Sequence, residues 1–418
     1  MPTAADDHYC EGSARLQVGA GFFRPDSRPA RDLGVLLLAD LVQQRGLASQ
    51  PGQIASVAEP LAVLDAMAGC GIRALRYGLE ALLAAPAAEL WANDADPDRL
   101  PLLQRNLATL TAAGLQLQTT SQTAQQLLAA CLLQRRRFDL LDLDAFGCPS
   151  ALVPLALEAV RLDGLLYVAS TDGRSPTGHD RSGAVRRLGA AARAHPASWE
   201  LALRLQIGVI ARAAWAQGRS VEPVLSFSEG RTFRTAVRLR RHAAGCELAQ
   251  LGLLAHCHGC GDQQVQSLLQ LRQWQPCLCG PSQSPSQSQP PLAISGPLWI
   301  GPLQHQPTLA RLQALADGGH PALVPSLAQS LAPDSRRLLG RLLADPGDLP
   351  RCWPTSGIGR QLGGGAPPLQ ALVAQLQQRG YRAGISGVMP GQLRSDAPWS
   401  EILQSAGQVA AGGGRAAK

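Results

Sequence analysis

Lysine is all but missing from this chain: Lys418 stands alone, and the other 37 basic residues are arginines. Such a bias is what a G+C-rich genome produces, so arginine content alone does not signal a polyanion partner. Long apolar runs are missing too. No stretch approaches ~20 uninterrupted apolar residues, and Met1 to Glu11 is polar and acidic, with no basic segment leading into an apolar core. The expectation is a cytoplasmic protein that does not engage a membrane. Cysteine is too dilute, ten in 418 residues, for a disulfide framework, and Cys10, Cys70, Cys131, Cys148, Cys246 and Cys352 are scattered singly. There is no internal repeat. Collagen, coiled coil and small disulfide scaffold are excluded on composition, and 45% hydrophobic residues exclude a disordered chain and leave room for two or three packed cores.

What is present is unevenly spread. Residues 1–239 carry 24 basic and 23 acidic side chains, whereas residues 240–418 carry 14 and 8, so +6 of the net +7 lies in the C-terminal part. That excess suits a polyanion-binding surface, and equally a random surplus in an arginine-biased segment, until a motif decides.

Between residues 60 and 171, short apolar runs alternate with helix-like stretches, the pattern of an α/β fold with a parallel sheet. Leu61–Asp65 (LAVLD), Glu89–Asp94 (ELWAND), Phe138–Asp144 (FDLLDLD) and Gly164–Thr171 (GLLYVAST) read as four strands, each ending where polar or acidic residues begin. A helix is expected from Ile72 to about Ala84 and another through Leu110. Ligands of open α/β sheets sit beyond the carboxyl ends of the strands, so these ends outline one site. Val185–Ala216 is helical in character, and 220–240 contains alternating segments that look like edge strands. Pro281–Pro291 (PSQSPSQSQPP) is a low-complexity tract expected to be a solvated loop. Residues 296–345 and 366–403 are expected to form a second, smaller folded region, and the chain from 404 or 408 onward to be disordered.

Val63-Leu-Asp-Ala-Met-Ala-Gly-Cys-Gly-Ile-Arg73 places Gly69 and Gly71 in the turn after a strand, where the backbone can approach a ligand closely. Alone, this spacing fits NAD, FAD and S-adenosylmethionine about equally, and plain tight-turn glycines as well. Asp94, at the end of the next strand, sharpens it, because a carboxylate there can accept both hydroxyls of an adenosine ribose. Ala74 stands at the third glycine position of a dinucleotide motif and does not exclude NAD. The next motif favours S-adenosylmethionine.

Asp142-Leu-Asp-Ala-Phe-Gly-Cys-Pro149 closes the third strand. An exocyclic amine on a base has its lone pair delocalised into the ring. A carboxylate that accepts its N–H hydrogen bond, and eventually its proton, keeps electron density on nitrogen during in-line attack on a methyl sulfonium. Asp144 is expected to be that carboxylate, Phe146 a stacking face for the base, and Gly147 with Pro149 the turn that aims backbone carbonyls at the amine. The competing reading is that Asp142 and Asp144 cap the following helix while Phe146 fills the core; Asp142 is the more structural of the two acids. Farther on, Cys257-x-x-Cys260 and Cys277-x-Cys279 supply two knuckle-like pairs for a structural tetrahedral zinc. The second pair is one residue short, which makes His256 or His258 a candidate replacement for one thiolate.

With these residues in hand, the chain resembles the tRNA guanine-N2 dimethyltransferase family. Phe22-Phe-Arg-Pro25 leading to Arg31-Asp-Leu33 is similar to F-Y-N-P followed by N-R-D-L, and Leu64 to Arg76 resembles L-D-A-L-S-A-T-G-I-R-A-L-R. Asn93-Asp94 followed by Arg105-Asn106-Leu107 matches N-D then R-N-L. Asp142 to Pro149 resembles D-L-D-P-F-G-S-P. Gly296-Pro-Leu-Trp-Ile-Gly-Pro302 and Ser395-Asp-Ala-Pro-Trp399 look like the C-terminal G-P-L-W-x-G and T-D-A-P-W. The resemblance implies a Rossmann-like, S-adenosylmethionine-dependent methyltransferase domain with a smaller α+β C-terminal domain that helps to hold tRNA. Their expected spans are 1–245 and 246–403, followed by a tail at 404–418. It implies one or two methyl transfers to N2 of guanosine 26 of tRNA, with cofactor contacts from Arg31, Arg76 and Asp94, and also Arg73 and Asp65. It implies that Phe22 and Phe146 sandwich a flipped guanine while Asp144 acts on its amine, and no obligate protein partner is expected.

Departures from the pattern carry their own expectations. Ala145 replaces a proline and Cys148 a serine, which predicts a looser turn. Arg24 replaces an asparagine, and Gln122-Thr-Ala124 offers no acid near an adenine ring. An alternative from another class is a tRNA-binding or chaperone protein of the same fold with weak or lost methyl transfer. A third is a methyltransferase acting on DNA or on a protein amine, for which the C-terminal blocks are unexpected.

Overall fold

A computed structural model describes residues 8–48, 59–277, 279, 292–318 and 327–413. The Pro281–Pro291 tract and residues 414–418 lie outside them. The chain opens with a hairpin, β1 (His8–Glu11) and β2 (Ala14–Gln17), and a long helix, α1 (Arg28–Ala48). The central sheet follows, from β3 (Leu61–Asp65), β4 (Ala88–Asn93), β5 (Gln116–Thr120), β6 (Phe138–Asp144), β7 (Val160–Ser170), β8 (Ser220–Glu229) and β9 (Thr232–Arg240), in the order β5-β4-β3-β6-β7-β9-β8. The five strands β3 to β7 run parallel, joined by crossovers through α2 (Ile72–Glu80), α3 (Leu100–Ala112), α4 (Ala124–Leu133) and α5 (Val153–Ala159). Strand β9 is antiparallel to both β7 and β8.

Two expectations shift here. The 220–240 segments are not both edges: the hairpin turns β9 inward, between β7 and β8, where it is buried along nearly its whole length. Strand β5, QLQTT, carries a single large apolar residue and escaped the alternation pattern because it is the opposite, half-exposed edge. The helical stretch from Val185 is two helices, α6 (Arg181–Leu188) and α7 (Ser198–Ala216). Pro196, whose ring removes an amide donor, sits in the link between them.

Side chains alternate across the sheet with period two. Val63, Leu140, Leu165 and Ala236 face α1, α2 and α3, whereas Leu64, Leu141, Leu143, Leu166 and Val237 face α4, α5 and α7. The same parity puts Asp65, Asp142, Asp144, Tyr167 and Arg234 on the α1/α2 face.

The remaining chain contributes to more than one core. Strands β10 (Leu251–His256), β11 (Gln263–Ser267) and β12 (Ala293–Trp299) form a small antiparallel sheet. Helices α8 (Gln306–Ala316), α9 (Leu327–Ser330) and α10 (Pro333–Ala344) then return to α1, and Leu309, Leu312, Leu339 and Leu342 join the core of Leu33 and Leu36. Residues 306–344 therefore pack with the large sheet, not with 366–403 as the linear pattern suggested. A separate core gathers β13 (Cys352–Pro354), α11 (Thr355–Gln361), α12 (Leu369–Gln378), β14 (Ala383–Ile385), β15 (Gln392–Ser395) and α13 (Trp399–Gly413). Helix α13 also corrects the expected tail: residues 404–413 are helical, and Ser405 and Ala406 are fully buried.

A buried charge network ties the two parts together. Arg394 of β15 donates from both terminal nitrogens to Glu200 of α7, at 2.7 Å each, and pairs with Asp345 at 2.8 Å. Arg204, one turn after Glu200, donates to the carbonyls of Trp299 (3.2 Å), Gly301 (2.9 Å) and Gly347 (2.7 Å). The Gly296–Pro302 motif is thus the strap on which these parts meet. No helix among the described residues is long and apolar enough to cross a membrane.

Candidate active site

A cavity of about 510 Å³ opens beyond the carboxyl ends of β3, β4 and β6, closed on one side by the segment Phe22–Arg31. Its floor is the Met67–Gly71 turn. Gly69 and Gly71 adopt φ of +56° and +87°, which L side chains rarely take. An added Cβ at Gly71 would lie 2.7 Å from Leu103 Cδ1, whereas one at Gly69 would meet no atom of the described residues within 4 Å and would project into the space beside the turn. Among the described residues no side chain caps the amino end of α2, which leaves its first amides available.

Asp94 follows β4 directly at the cavity wall; its Oδ2 accepts from the Gly69 amide at 2.8 Å and its Oδ1 from the Asp96 amide at 3.0 Å. Asn93 beside it staples three loops. Its Nδ2 donates to Ala66 O and Gln122 O, and its Oδ1 accepts from Thr120 Oγ1 and the Gln122 amide. Sequence reasoning used Asn93 only as part of a motif and missed this role. Ala124, just past Gln122, lines the cavity on that side.

Arg31 reaches the cavity but is largely engaged: it grips Glu11 with Nε (2.7 Å) and Nη2 (2.6 Å) and donates to the carbonyls of Arg24 and Pro25. It thereby shapes the Phe22–Pro25 arm. Arg73 also lines the cavity, with Nε 3.1 Å and Nη2 3.0 Å from Asp144 Oδ2. Arg76 does not reach it. One turn beyond Arg73, it points under α1, fully buried among Glu11, Asp32 and Glu80. The expected cofactor contact from Arg76 is corrected to a structural hub, because three carboxylates consume its donors. Asp65 likewise lies beneath the cavity wall, fully buried, and among the described residues neither carboxylate oxygen has a hydrogen-bond partner.

Asp144 stands at the centre, its side chain 32% exposed toward the cavity. Burial raises its carboxyl, but Arg234 and Arg73 overcome this and hold it at about 2. Arg234 of β9 donates from Nη2 to Asp144 Oδ1 at 2.6 Å, its guanidinium lying over the Tyr167 ring. Nothing in the linear sequence marked it. Behind Asp144, Tyr77 donates to Asp142 Oδ2 at 2.6 Å; burial pushes both Asp65 and Asp142 upward, with Asp142 adding to the rise at Asp65 and Asp144 to that at Asp142. Asp142 is fully buried behind Asp144.

The turn after β6 is pinned from β7. The Gly147 carbonyl accepts from the amides of Thr171 (2.9 Å) and Asp172 (3.3 Å) and from Ser170 Oγ (3.0 Å), and its amide donates to Thr171 Oγ1 (2.6 Å). These bonds tie the turn to β7 at Gly147, two residues beyond Ala145. Phe22 and Phe146 are 65% and 70% exposed and meet at the mouth, ring centroids 5.3 Å apart at 72°. They touch edge-on, so stacking a base between them requires one ring to swing aside.

Some distance away, the sulfurs of Cys257, Cys260, Cys277 and Cys279 lie within 4.8 Å of one another, with 3.5 and 3.7 Å separations among them. Four thiolates around zinc at about 2.3 Å would sit about 3.8 Å apart. The four cysteines converge without His256 or His258, which stack edge-on beside them.

Residues 13–406 match the family model described as N2,N2-dimethylguanosine tRNA methyltransferase. A tRNA (guanine(26)-N(2))-dimethyltransferase of Pyrococcus abyssi is 27% identical over 92% of this chain and 93% of its own length. One of Methanocorpusculum labreanum is 29% identical over 78% of this chain and 79% of its own. Trm1 from Pyrococcus horikoshii, solved with S-adenosyl-L-methionine, superposes with a TM-score of 0.76 at 23% identity, covering 95% of this chain and 99% of that one. The chain belongs to the N2,N2-dimethylguanosine tRNA methyltransferase family.

Proposed function

We propose that this enzyme transfers methyl groups from S-adenosylmethionine to the exocyclic N2 of guanosine 26 in tRNA. The observation that carries the reading is one cavity in which a glycine turn and Asp94 adjoin an ionised Asp144 at a mouth flanked by two exposed phenylalanines. The residues fit the donor: the Gly69 cradle is open where a Cβ would project, the start of α2 is uncapped, and Asp94 stands ready for ribose hydroxyls. When bound, S-adenosylmethionine supplies an electrophilic methyl group on a sulfonium.

The chain's own residues then do four things. Asp94 and the Met67–Gly71 turn hold the adenosine portion, with Arg31 shaping the wall. Phe22 and Phe146 stack on the extruded guanine, offsetting the few kcal/mol that unpairing costs. Asp144 accepts a hydrogen bond from N2–H, which keeps nitrogen density aimed at the methyl group. As nitrogen acquires its new bond to carbon it becomes strongly acidic, and its proton passes to Asp144 and on to water. A carboxyl held at about 2 is a weak base, yet it is always ionised at working pH and still far more basic than that nitrogen. Catalysis is otherwise alignment in a shielded site.

The cysteine cluster is assigned to zinc. Four thiolates leave no open position, so its role is structural, held by Cys257, Cys260, Cys277 and Cys279. The basic surplus in residues 240–418 is assigned in part to tRNA phosphates. Arg394 is buried and Arg311 grips Asp40, so the contacts fall to exposed arginines such as Arg272, Arg341 and Arg360. Tritiated-methyl incorporation into unmodified tRNA, followed by mass-spectrometric mapping of nucleosides, tests the activity. Absence of transfer by a protein that binds S-adenosylmethionine would favour the tRNA-binding alternative, and Asp144→Ala methylating as fast as wild type would remove the mechanism.

A further inference from the structure

We infer that Arg234 is a positioning residue for methyl transfer, the second jaw of a guanidinium clamp that fixes the plane of the Asp144 carboxylate toward the base. This rests on the role proposed above for Asp144. Arg73 approaches from α2 and takes Oδ2; Arg234 approaches from β9, the strand inserted antiparallel into the sheet, and takes Oδ1 at 2.6 Å. Each oxygen has lone pairs beyond the one its arginine uses. With the two arginines on opposite oxygens, the carboxylate cannot rotate about its Cβ–Cγ bond without breaking one of these bonds. Its partly exposed edge therefore faces the cavity in one orientation.

Arg234 is itself held for this task. It is 1% exposed, sits over the Tyr167 ring at 5.4 Å, and among the described residues its Nε and Nη1 have no hydrogen-bond partner. Burying a guanidinium with two idle nitrogens is unfavourable and serves no packing purpose that a smaller apolar side chain would not meet. Tyr167 is anchored by donating its hydroxyl to Ala30 O at 2.9 Å, and Ala30 in turn donates its amide to Glu229 Oε1 at 2.9 Å. The Phe22–Arg31 arm and the clamp are thus set by one chain of contacts. Of the charged and titratable groups around the clamp, Arg73 from α2, Arg234 from β9, Asp65 from β3 and Asp142 from β6 act on Asp144, whereas Tyr77 from α2, Tyr167 from β7 and Glu229 from β8 act on the two arginines. Among the described residues, only Arg73 and Arg234 bond to the Asp144 oxygens.

The test uses the full chain with tritiated S-adenosylmethionine and unmodified tRNA under single turnover. Arg234→Gln should lower the methylation rate roughly 10- to 100-fold, the range for losing a charge-assisted hydrogen bond, with S-adenosylmethionine affinity and KM for tRNA unchanged. Loss of the positive neighbour raises the Asp144 carboxyl, so the acid limb of the rate profile should move to higher pH. Arg234→Lys keeps the charge and should restore the position of that limb while recovering only part of the rate, because an ammonium lacks the planar fork. In an Asp144→Asn background, Arg234→Gln should cost nothing more. An equal loss in that background, or a loss confined to affinity with the acid limb unmoved, overturns the inference. If the Gln variant does not fold, the Lys variant decides: an unchanged rate overturns it, and a lowered rate at unchanged affinities supports it. Asp144→Asn transferring methyl as fast as wild type would instead remove the reading of Asp144 itself, whatever Arg234 does.

Discussion

Trp399 lies flat against Trp353, ring centroids 5.5 Å apart at 11°, and both indoles donate to the knuckle that carries the first cysteine pair, Trp399 to Cys260 O and Trp353 to Gly261 O at 2.8 Å each. The stacked pair couples the cysteine site to the C-terminal core, whose buried members include Cys257, Cys260 and Cys277. Chelation should therefore release about one equivalent of zinc per chain and melt the C-terminal core. Metal analysis paired with tryptophan fluorescence reads both, and retention of the tryptophan signal after complete metal loss would contradict the coupling.

Gly69 and Gly71 should respond differently to alanine. At Gly71 the left-handed φ and the 2.7 Å approach to Leu103 both oppose a Cβ, so the thermal midpoint should fall, by the equivalent of about 1–2 kcal/mol for the backbone alone. At Gly69 the backbone penalty remains but no atom is struck. The distinguishing loss there should be S-adenosylmethionine affinity measured by calorimetry, beyond what stability predicts.

Phe22→Ala and Phe146→Ala should each weaken kcat/KM for tRNA by about 1–3 kcal/mol, the range for a base–aromatic stack, without changing cofactor affinity. Because the rings meet edge-on, the double variant should be less damaging than the sum of the two. Full additivity in steady-state kinetics would argue against a shared base.

Glu200 gives a pH prediction. Burial raises its carboxyl, but Arg394 and Arg204 outweigh this and hold it at about 2. A depressed folded-state value means that its stabilisation is present above the unfolded range, about 4.3, and is lost as pH falls toward 2. Glu200→Gln should destabilise the protein by about 3–5 kcal/mol at neutral pH, since it removes the carboxylate shared by two buried arginines and leaves Asp345 alone to balance them. The variant should also lose the part of the acid dependence lying between pH 4.5 and 2. Thermal melts across that window check the sign: a wild type that gains stability on acidification there would refute it.

Much of the site was legible because strands of parallel sheets are apolar throughout, so the acids that end LAVLD and FDLLDLD announce where the sheet stops. Period two then places Asp144 and Asp142 on one face. Arg76 misled because its motif neighbour Arg73 does reach the cavity; the corrective signal was Glu80, four residues on, a partner at helical spacing. Arg234 was not legible at all, since its parity only has meaning once β9 is known to sit inside the sheet. The helical end at 404–413 was readable in hindsight, from Ile402 and Ala406 one turn apart. Gly and Ala around them masked it.

The return of α8 and α10 to α1 has a consequence for biosynthesis. Asp40 meets Arg311 across 271 residues of chain, and Asp32 accepts from the Ala332 amide and Ser335 Oγ, 300 and 303 residues away. A nascent chain that has already emerged with its whole sheet still lacks the layer that covers α1. The catalytic half therefore cannot finish folding ahead of the rest. Until α8 and α10 have emerged from the ribosome, the apolar face of α1 lacks its native cover, and a chain in that state exposes surface prone to aggregation.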